Sequence, residues 1–350
     1  MRILAVGRRF PPDVRTGRAV AFARLVGQLR GAHEVRLVAG WRRDRAAIPD
    51  DALGVDLRSR GPVAAHAALW RAIRSAVRRF DPQVVISASV DVPLIPRPTI
   101  ALVRDLEGTG WGEDAMPRDR WHRWRARRFD RLVVPGHATE RALLRAGHPA
   151  ARVVAIPDLV GAVAPARASR PDGPLRVVHP GRMLPAKQQH LSIEAVARLP
   201  PEIKQRLELH VVGEASDRGY FDQLRVAGRD QPVRFHADVE DIGAHVAAAD
   251  LVLYPTALRQ EWPDVAIEAM AQGVPVAWTD HPAVREATGG HGRALPVGDF
   301  DALRAVLREL VRAPDELRAT GEAGRRFVDA NYTWRQVGPR WQAILGELGR

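Results

Sequence analysis

Residues Tyr254 to Asp280 read YPTALRQEWPDVAIEAMAQGVPVAWTD. Leu251–Tyr254 is a short apolar run of the kind that makes a buried strand, and Pro255 ends it. A polar loop follows. A helical pattern near Val265–Gln272 then carries Glu268 in its first turn, Gly273 breaks it, and Val274–Trp278 is a second strand. Strand, helix, strand in so short a span is the repeating unit of a parallel sheet covered by helices on both faces.

Working outward, the same alternation holds. Upstream lie strands at Leu175–His179, Leu207–Val212 and Val233–His236, with helices at Gln188–Leu199 and Tyr220–Ala227. Downstream, helical periods run over Asp301–Val311, Pro314–Asn331 and Trp334–Leu348. The first half repeats the pattern. Strands are expected at Arg2–Val6, Glu34–Ala39, Gln83–Ser87, Thr99–Val103, Arg131–Val134 and Val153–Ile156, with helices at Ala19–Leu29 and Ala64–Phe80. Residues 161–174, GAVAPARASRPDGP, have no period and read as a linker. The 350 residues therefore divide into two α/β domains, 1–160 and 175–333. Each is doubly wound and Rossmann-like, with its ligand crevice at the carboxyl ends of the strands. Two such domains facing each other form a cleft.

Composition narrows the chemistry. There is no cysteine, which excludes disulfides, thiolate metal sites and a cysteine nucleophile. The opening MRILAVGRRF has no cleavage pattern, and no stretch reaches the roughly 20 apolar residues of a membrane span. A cytoplasmic protein is expected, soluble or peripheral at the inner face of the membrane. The net charge of +12 is one-sided: residues 1–160 hold 29 Arg against 16 acids, while the rest of the chain is close to neutral. Such a surface attracts polyanions. Only Lys187 and Lys204 are lysines among 53 basic residues, so each surviving lysine asks for a reason.

His179–Leu199 reads HPGRMLPAKQQHLSIEAVARL. A strand ends at Gly181, and Arg182 and Lys187 flank the loop that opens a helix. A helix N-terminus favours anions, and a guanidinium fork with an ammonium beside it makes a diphosphate clamp. The plain alternative is a pair of solvated charges.

Taken with this loop, the string Glu268-Ala-Met-Ala-Gln-Gly-Val-Pro-Val276 resembles the signature of family 4 glycosyltransferases, the "glycosyl transferases group 1", which have the GT-B fold. Gly181-Arg182 with Lys187 resembles that family's phosphate-binding stretch at the same spacing. Weaker echoes run along the chain: Phe10-Pro-Pro-Asp13 with Gly17, His33-Glu34-Val35, Ile156-Pro157, Leu209–Gly213 and Ala247–Pro255. Tyr332 and Trp334 stand where the family's last helix crosses back to the first domain, so 334–350 is expected on that domain.

The resemblance implies a retaining, metal-independent glycosyltransferase that takes its sugar from a nucleotide-diphosphate sugar and needs no cofactor. Arg182 and Lys187 would hold the donor diphosphate as leaving group. Glu268 would accept from the ribose hydroxyls. Gly17 and Gly213 would allow close backbone approach to the donor, although both also suit an ordinary turn. The family's sugar-contacting glutamate falls on Gln260, with Glu261 one position late; one of the two is expected to serve. Where the family often has an acceptor-side histidine, the chain reads Val103-Arg104-Asp105, which makes Arg104 and Asp105 the acceptor-side candidates. The chain also has Arg15-Thr16-Gly17 in place of a double glycine, and His281-Pro282 in place of another.

Preorganised positive charge at the leaving group is a large catalytic term. The Asp-x-Asp triplet at Asp299-Phe300-Asp301 follows Gly298 and precedes a helix, which suits an N-cap better than a metal site. The segment Trp121-His-Arg-Trp-Arg-Ala-Arg-Arg128 reads either as a basic helix on an anionic surface or as a surface helix with Trp121 and Trp124 packed inward. The acceptor is a glycan, a lipid-linked sugar or a small natural product; nucleic acid is not expected. The competing readings are a nucleotide-sugar epimerase of the same fold, a nucleotide-sugar-binding protein weakened by Gln260, and, from charge alone, a nucleic-acid binder.

Overall fold

The computed structural model describes residues 1–8, 10–11, 17–41, 51–58, 61–90, 92, 95–104, 124–161, 173–239, 241–259 and 262–349. The chain forms two units, Met1–Gly161 with Tyr332–Arg350, and Ala162–Asn331.

The first unit is built on seven parallel strands: β1 Arg2–Gly7, β2 Glu34–Trp41, β3 Leu53–Asp56, β4 Val84–Ser87, β5 Thr99–Leu102, β6 Arg131–Val134 and β7 Val153–Ala155. Their spatial order is β3-β2-β1-β4-β5-β6-β7. Every residue of β4 and β5 is buried, because both faces of the sheet are covered and no polar alternation survives. Along β1 the side chains alternate between two cores. Ile3 and Ala5 meet Phe22, Leu25 and Leu29 of helix α1, Gly17–Leu29. Leu4 and Val6 meet Leu69 and Ile73 of α2, Pro62–Phe80, and Leu143 of α3, His137–Arg145. Residues 53–56 and helix α3 are not among the sequence-based elements. Leu53-Gly-Val-Asp56 is an edge strand with Leu53 and Gly54 exposed, so it lacks the apolar run that marks its neighbours.

The helix Trp334–Leu348 completes the first of these cores with Val337, Trp341, Ile344 and Leu345. Polar ties fix it further. Gln342 Oε1 lies 3.0 Å from His33 Nε2, Arg131 pairs with Glu347 at 3.0 Å, and Arg340 donates to the Ala155 carbonyl.

The second unit holds six parallel strands: β8 Leu175–Pro180, β9 Leu207–Gly213, β10 Val233–Ala237, β11 Leu251–Tyr254, β12 Val276–Thr279 and β13 Arg293–Leu295, in the order β10-β9-β8-β11-β12-β13. Eight helices accompany them among the described residues: α4 Gln189–Ala197, α5 Pro201–Lys204, α6 Arg218–Ala227, α7 Ile242–Ala247, α8 Asp264–Ala271, α9 Pro282–Thr288, α10 Phe300–Arg312 and α11 Pro314–Asn331. Asp217, Asp241 and Asp299 cap α6, α7 and α10, accepting from the amides of Tyr220, Ala244 and Ala302 at 3.0, 3.2 and 3.0 Å. Asp299 therefore does what its place after Gly298 predicts, and Asp301 pairs with Arg304 at 2.7 Å. Helix α11 lies close against α8. A Cβ at Gly321 would strike the Gly273 carbonyl, and one at Gly324 would stand 3.2 Å from the Met270 side chain.

In each sheet the strand order reverses once, between β1 and β4 and between β8 and β11. At such a switch point adjacent connections leave toward opposite faces, and a crevice opens at the carboxyl ends of the two strands.

Candidate functional site

The switch point of the second sheet is where the sequence places Lys187. From Pro180, the last residue of β8, the chain turns at Gly181, with φ +135°. It then makes a single 3-10 turn, Pro185–Lys187, and passes through a left-handed Gln188 into α4. Gln189 Nε2 donates to the Arg182 carbonyl at 2.9 Å, which pins the loop to the helix it precedes. Lys187 is buried. Its Nζ lies 3.4 Å from the Tyr254 hydroxyl and over the Tyr254 ring, 5.2 Å from the centroid. Tyr254 is the last residue of β11, so the ammonium sits between the ends of the two strands that flank the reversal.

The loop beyond β11 is tied to the same turn. Ala257 N donates to the Ala186 carbonyl at 2.9 Å, and the Thr256 amide donates to Thr279 Oγ1 at 2.9 Å. His281 Nε2 stands 3.1 Å from the Thr256 carbonyl. His281, which replaces a glycine of the family pattern, is thus a buried brace for the loop. On the other side, Gly213 ends β9 with φ +149°, and a Cβ there would collide with the Gly181 carbonyl. Met183 N donates to Glu214 O at 2.7 Å. The glycine is required by the close approach of the two loops.

Arg182 has an exposed side chain with no hydrogen bond or ion pair among the described residues, a cation left open to an anion. His179, directly beneath the turn, is buried with Nδ1 2.9 Å from Ser192 Oγ. Burial, and after it the charge of Lys187, holds its pKa down at about 3, so it is neutral at physiological pH.

Three expectations need correction. Glu268 is the fifth residue of α8, not in its first turn, because the helix starts at Asp264. The helix after the Lys187 turn starts at Gln189, and its end is partly spent: His190 N donates to the Tyr220 hydroxyl at 3.2 Å, and His190 Nδ1 meets the same oxygen at 2.8 Å. An anion held at this turn would therefore rest on the side chains more than on this helix end. Finally, Trp124 does not pack inward; it is exposed under Arg128, 4.6 Å from its ring. Arg125 takes the interior place and donates to the carbonyls of Val90 (2.9 Å) and Val92. In a helix short of apolar residues, the buried position went to a cation able to satisfy two buried carbonyls.

Gly181, Arg182, Lys187 and Gly213 are brought together around β8 and β9, and Glu268 lies on the helix that follows β11. Tyr254 and Thr256 join them, unforeseen; the signal was a tyrosine at a strand's carboxyl end before Pro255. Gly17 begins α1 in the first unit, in the connection that leaves β1 at that sheet's own switch point. Arg104 is buried beyond β5 and held by Asp158, with Nε–Oδ2 at 2.6 Å. Gln260, Glu261, Asp105, Trp121 and nearly all of the 161–174 linker lie outside the described residues.

Each unit is a doubly wound parallel sheet with one switch point, and in the second a buried lysine lies at it. Residues 174–313 match the family described as "Glycosyl transferases group 1". Among curated relatives, the chain is 30% identical over 167 residues to the MMP alpha-(1->4)-mannosyltransferase of Mycolicibacterium hassiacum, covering 46% of this chain and 40% of that one. It is 33% identical over 175 residues to the GDP-mannose-dependent monoacylated alpha-(1-6)-phosphatidylinositol monomannoside mannosyltransferase of Corynebacterium glutamicum, covering 47% and 45%. The matched part thus spans under half the length of these relatives. Over its whole length the chain has the GT-B fold. It aligns with sucrose-phosphate synthase from Thermosynechococcus elongatus at TM-score 0.81 and 16% identity over 99% of both chains. With Anabaena HepE, solved in complex with UDP and glucose, the TM-score is 0.78 at 17% identity, over 99% of this chain and 100% of that one.

Proposed function

We propose that the protein is a retaining glycosyltransferase that moves a sugar from a nucleoside-diphosphate sugar to an acceptor hydroxyl without a catalytic metal. The observation that carries this reading is the buried Lys187 ammonium at the β8/β11 switch point, beside an unengaged Arg182. In the transfer, the bond from the sugar's anomeric carbon to the diphosphate oxygen breaks. The electron pair leaves with the diphosphate, and Lys187 and Arg182 stabilise the charge that builds there. The acceptor oxygen attacks from the face the diphosphate leaves, and its proton passes to the departing phosphate oxygen. Glu268 binds the ribose hydroxyls, and Gln260 or Glu261 faces the transferred sugar. Metal independence is supported by the fate of the chain's Asp-x-Asp triplet, which is spent on a helix cap and an ion pair with Arg304.

The acceptor we propose is anionic or lipid-linked. The first unit carries the chain's excess of arginine, and it exposes Val63 (83%) and Trp70 (41%) on α2 and Trp124 (48%), the two tryptophans each under an arginine. That mixture suits a membrane surface. No helix among the described residues is long and apolar enough to cross a membrane. The C. glutamicum relative's name places its activity on a phosphatidylinositol mannoside, an acceptor of this kind.

Calorimetric titration with UDP and GDP in the presence of EDTA tests the donor site. One of the two is expected to bind the wild type, and Lys187→Ala is expected to weaken it by about 2 kcal/mol or more, roughly 30-fold, as for loss of a buried charged partner. Binding equal in wild type and variant, or absent from both, removes the basis of the reading.

A further inference from the structure

On the face of the second sheet opposite the core of Leu209 and Val211, three imidazoles converge: His210 on β9, His236 on β10 and His245 on α7. We infer that they form a binding site for a single divalent transition-metal ion of the zinc class. One nitrogen from each histidine lies within 4.8 Å of the others. Zinc holds imidazole nitrogens at about 2.0–2.1 Å, which in tetrahedral geometry sets them about 3.4 Å apart. The cluster needs only a modest contraction to reach this.

The hydrogen bonds assign the lone pairs. His210 Nε2 lies 2.8 Å from Glu208 Oε2, and Glu208 is itself held by Arg234. A carboxylate accepts, so Nε2 carries the proton and Nδ1 is left as a lone pair. That Nδ1 faces His236 Nε2 at 2.9 Å, with the two rings parallel within 3°. The arrangement of carboxylate, imidazole and open nitrogen is the one that orients a metal-bound histidine and raises its basicity. Without an ion, His210 and His236 satisfy each other. His245 has no such arrangement: its Nδ1 is buried and has no hydrogen-bond partner, while its ring lies 4.5 Å from that of His236. A buried ring nitrogen left unpaired on one of the three histidines is a group that an ion can satisfy. Imidazole donors favour Zn2+, Cu2+ and Ni2+ over Mg2+ or Ca2+. The charges facing the site are Glu208, which favours the ion, and Arg176 and Arg234, which oppose it.

The ion would clamp two strands and a helix two residues before Asp238. Asp238 donates its amide to the Gly213 carbonyl at 2.8 Å and accepts from Ala215 N at 3.0 Å. It would brace the glycine turn from below without touching the sugar donor, and it is separate from the metal-free transfer proposed above. The spacing of these histidines, 26 and 9 residues apart, matches no metal motif, so the site is visible only once the strands are paired.

The test is titration of chelator-treated full-length protein with Zn2+, repeated with Co2+ as a spectroscopic probe. The wild type is expected to take up one equivalent of Zn2+, to melt at a higher temperature when loaded, and to give visible d–d bands with Co2+. His245→Ala, on a short helix at the unit's surface, is expected to keep the metal-free melting temperature and lose at least tenfold in affinity; His236→Gln is expected to do the same. The inference is overturned if the wild type takes up no stoichiometric Zn2+, or if weak uptake is the same in wild type and His245→Ala, which is an adventitious ion only.

Discussion

Replacing Gly213 by alanine tests whether backbone proximity, rather than a convenient turn, explains this glycine. Two costs combine. A side chain at φ +149° lies in a region that non-glycine residues occupy at about 1–3 kcal/mol. The new Cβ also meets the Gly181 carbonyl and must push aside the loop bearing Arg182 and Lys187, a further cost of about 1–3 kcal/mol. The sum is about 2–6 kcal/mol. Gly298 isolates the first cost: its φ is +72°, but nothing lies within 4 Å of a Cβ there. Gly298→Ala is expected to cost about 1–2 kcal/mol. Gly27, exposed within α1 and also free of neighbours, supplies the opposite sign, with Gly27→Ala stabilising by about 0.5–1 kcal/mol. Differential scanning calorimetry reads these as about 2–4 °C per kcal/mol for units of this size. Nucleoside-diphosphate binding, measured below the melting transition, should fall in Gly213→Ala and stay unchanged in Gly298→Ala. If Gly213→Ala melts no lower than Gly298→Ala, the two loops do not approach as described and the shape assigned to the loop bearing Arg182 and Lys187 is wrong.

Trp341→Ala should destabilise the first unit by about 3–5 kcal/mol, since it empties a buried place between α1 and the sheet; denaturant unfolding that shows less than 1 kcal/mol would mean the helix Trp334–Leu348 is not docked there. His179 supplies a pH dependence. Its pKa is lowered in the folded state to about 3, so its contribution is complete above the ordinary value of 6.5 and is lost as pH falls from there toward 3. Each pH unit within that window costs about 1.4 kcal/mol at most for this one group. The stability profile of His179→Gln should be flatter than wild type between pH 6 and 4, and parallel profiles would refute the assignment.

The strands were legible where both faces are buried. Val84–Ile86 and Leu251–Tyr254 are uninterrupted apolar runs, and Arg182 and Lys187 follow a strand marked by the buried pair Val177 and Val178. Leu53–Asp56 was not legible, because an edge strand half in solvent has neither an apolar run nor an alternation. The short helices α7 and α9 were hidden for a related reason: at six and seven residues they are too brief to display a period. Glu268 was placed one position early because Pro263 marks the helix start only to within a residue or two. Tyr254 as the neighbour of Lys187 and the cluster of His210, His236 and His245 depend on which strands pair, and sequence spacing does not encode that order. Arg125 shows a further limit. A charge pattern assigns arginine to the surface, but two unpaired carbonyls can draw it inside.

The membership of Trp334–Leu348 in the first unit has a consequence for biosynthesis. The second unit is continuous in sequence, and all of its strands have left the ribosome before that helix is made. The first unit, although its seven strands are synthesised first, must wait with this core incomplete until Val337, Trp341, Ile344 and Leu345 arrive. The order of completion is therefore the reverse of the order of synthesis. A chain clipped between Asn331 and Val337 keeps a whole second unit joined to a first unit whose core is incomplete, the kind of apolar surface that chaperones hold and proteases remove.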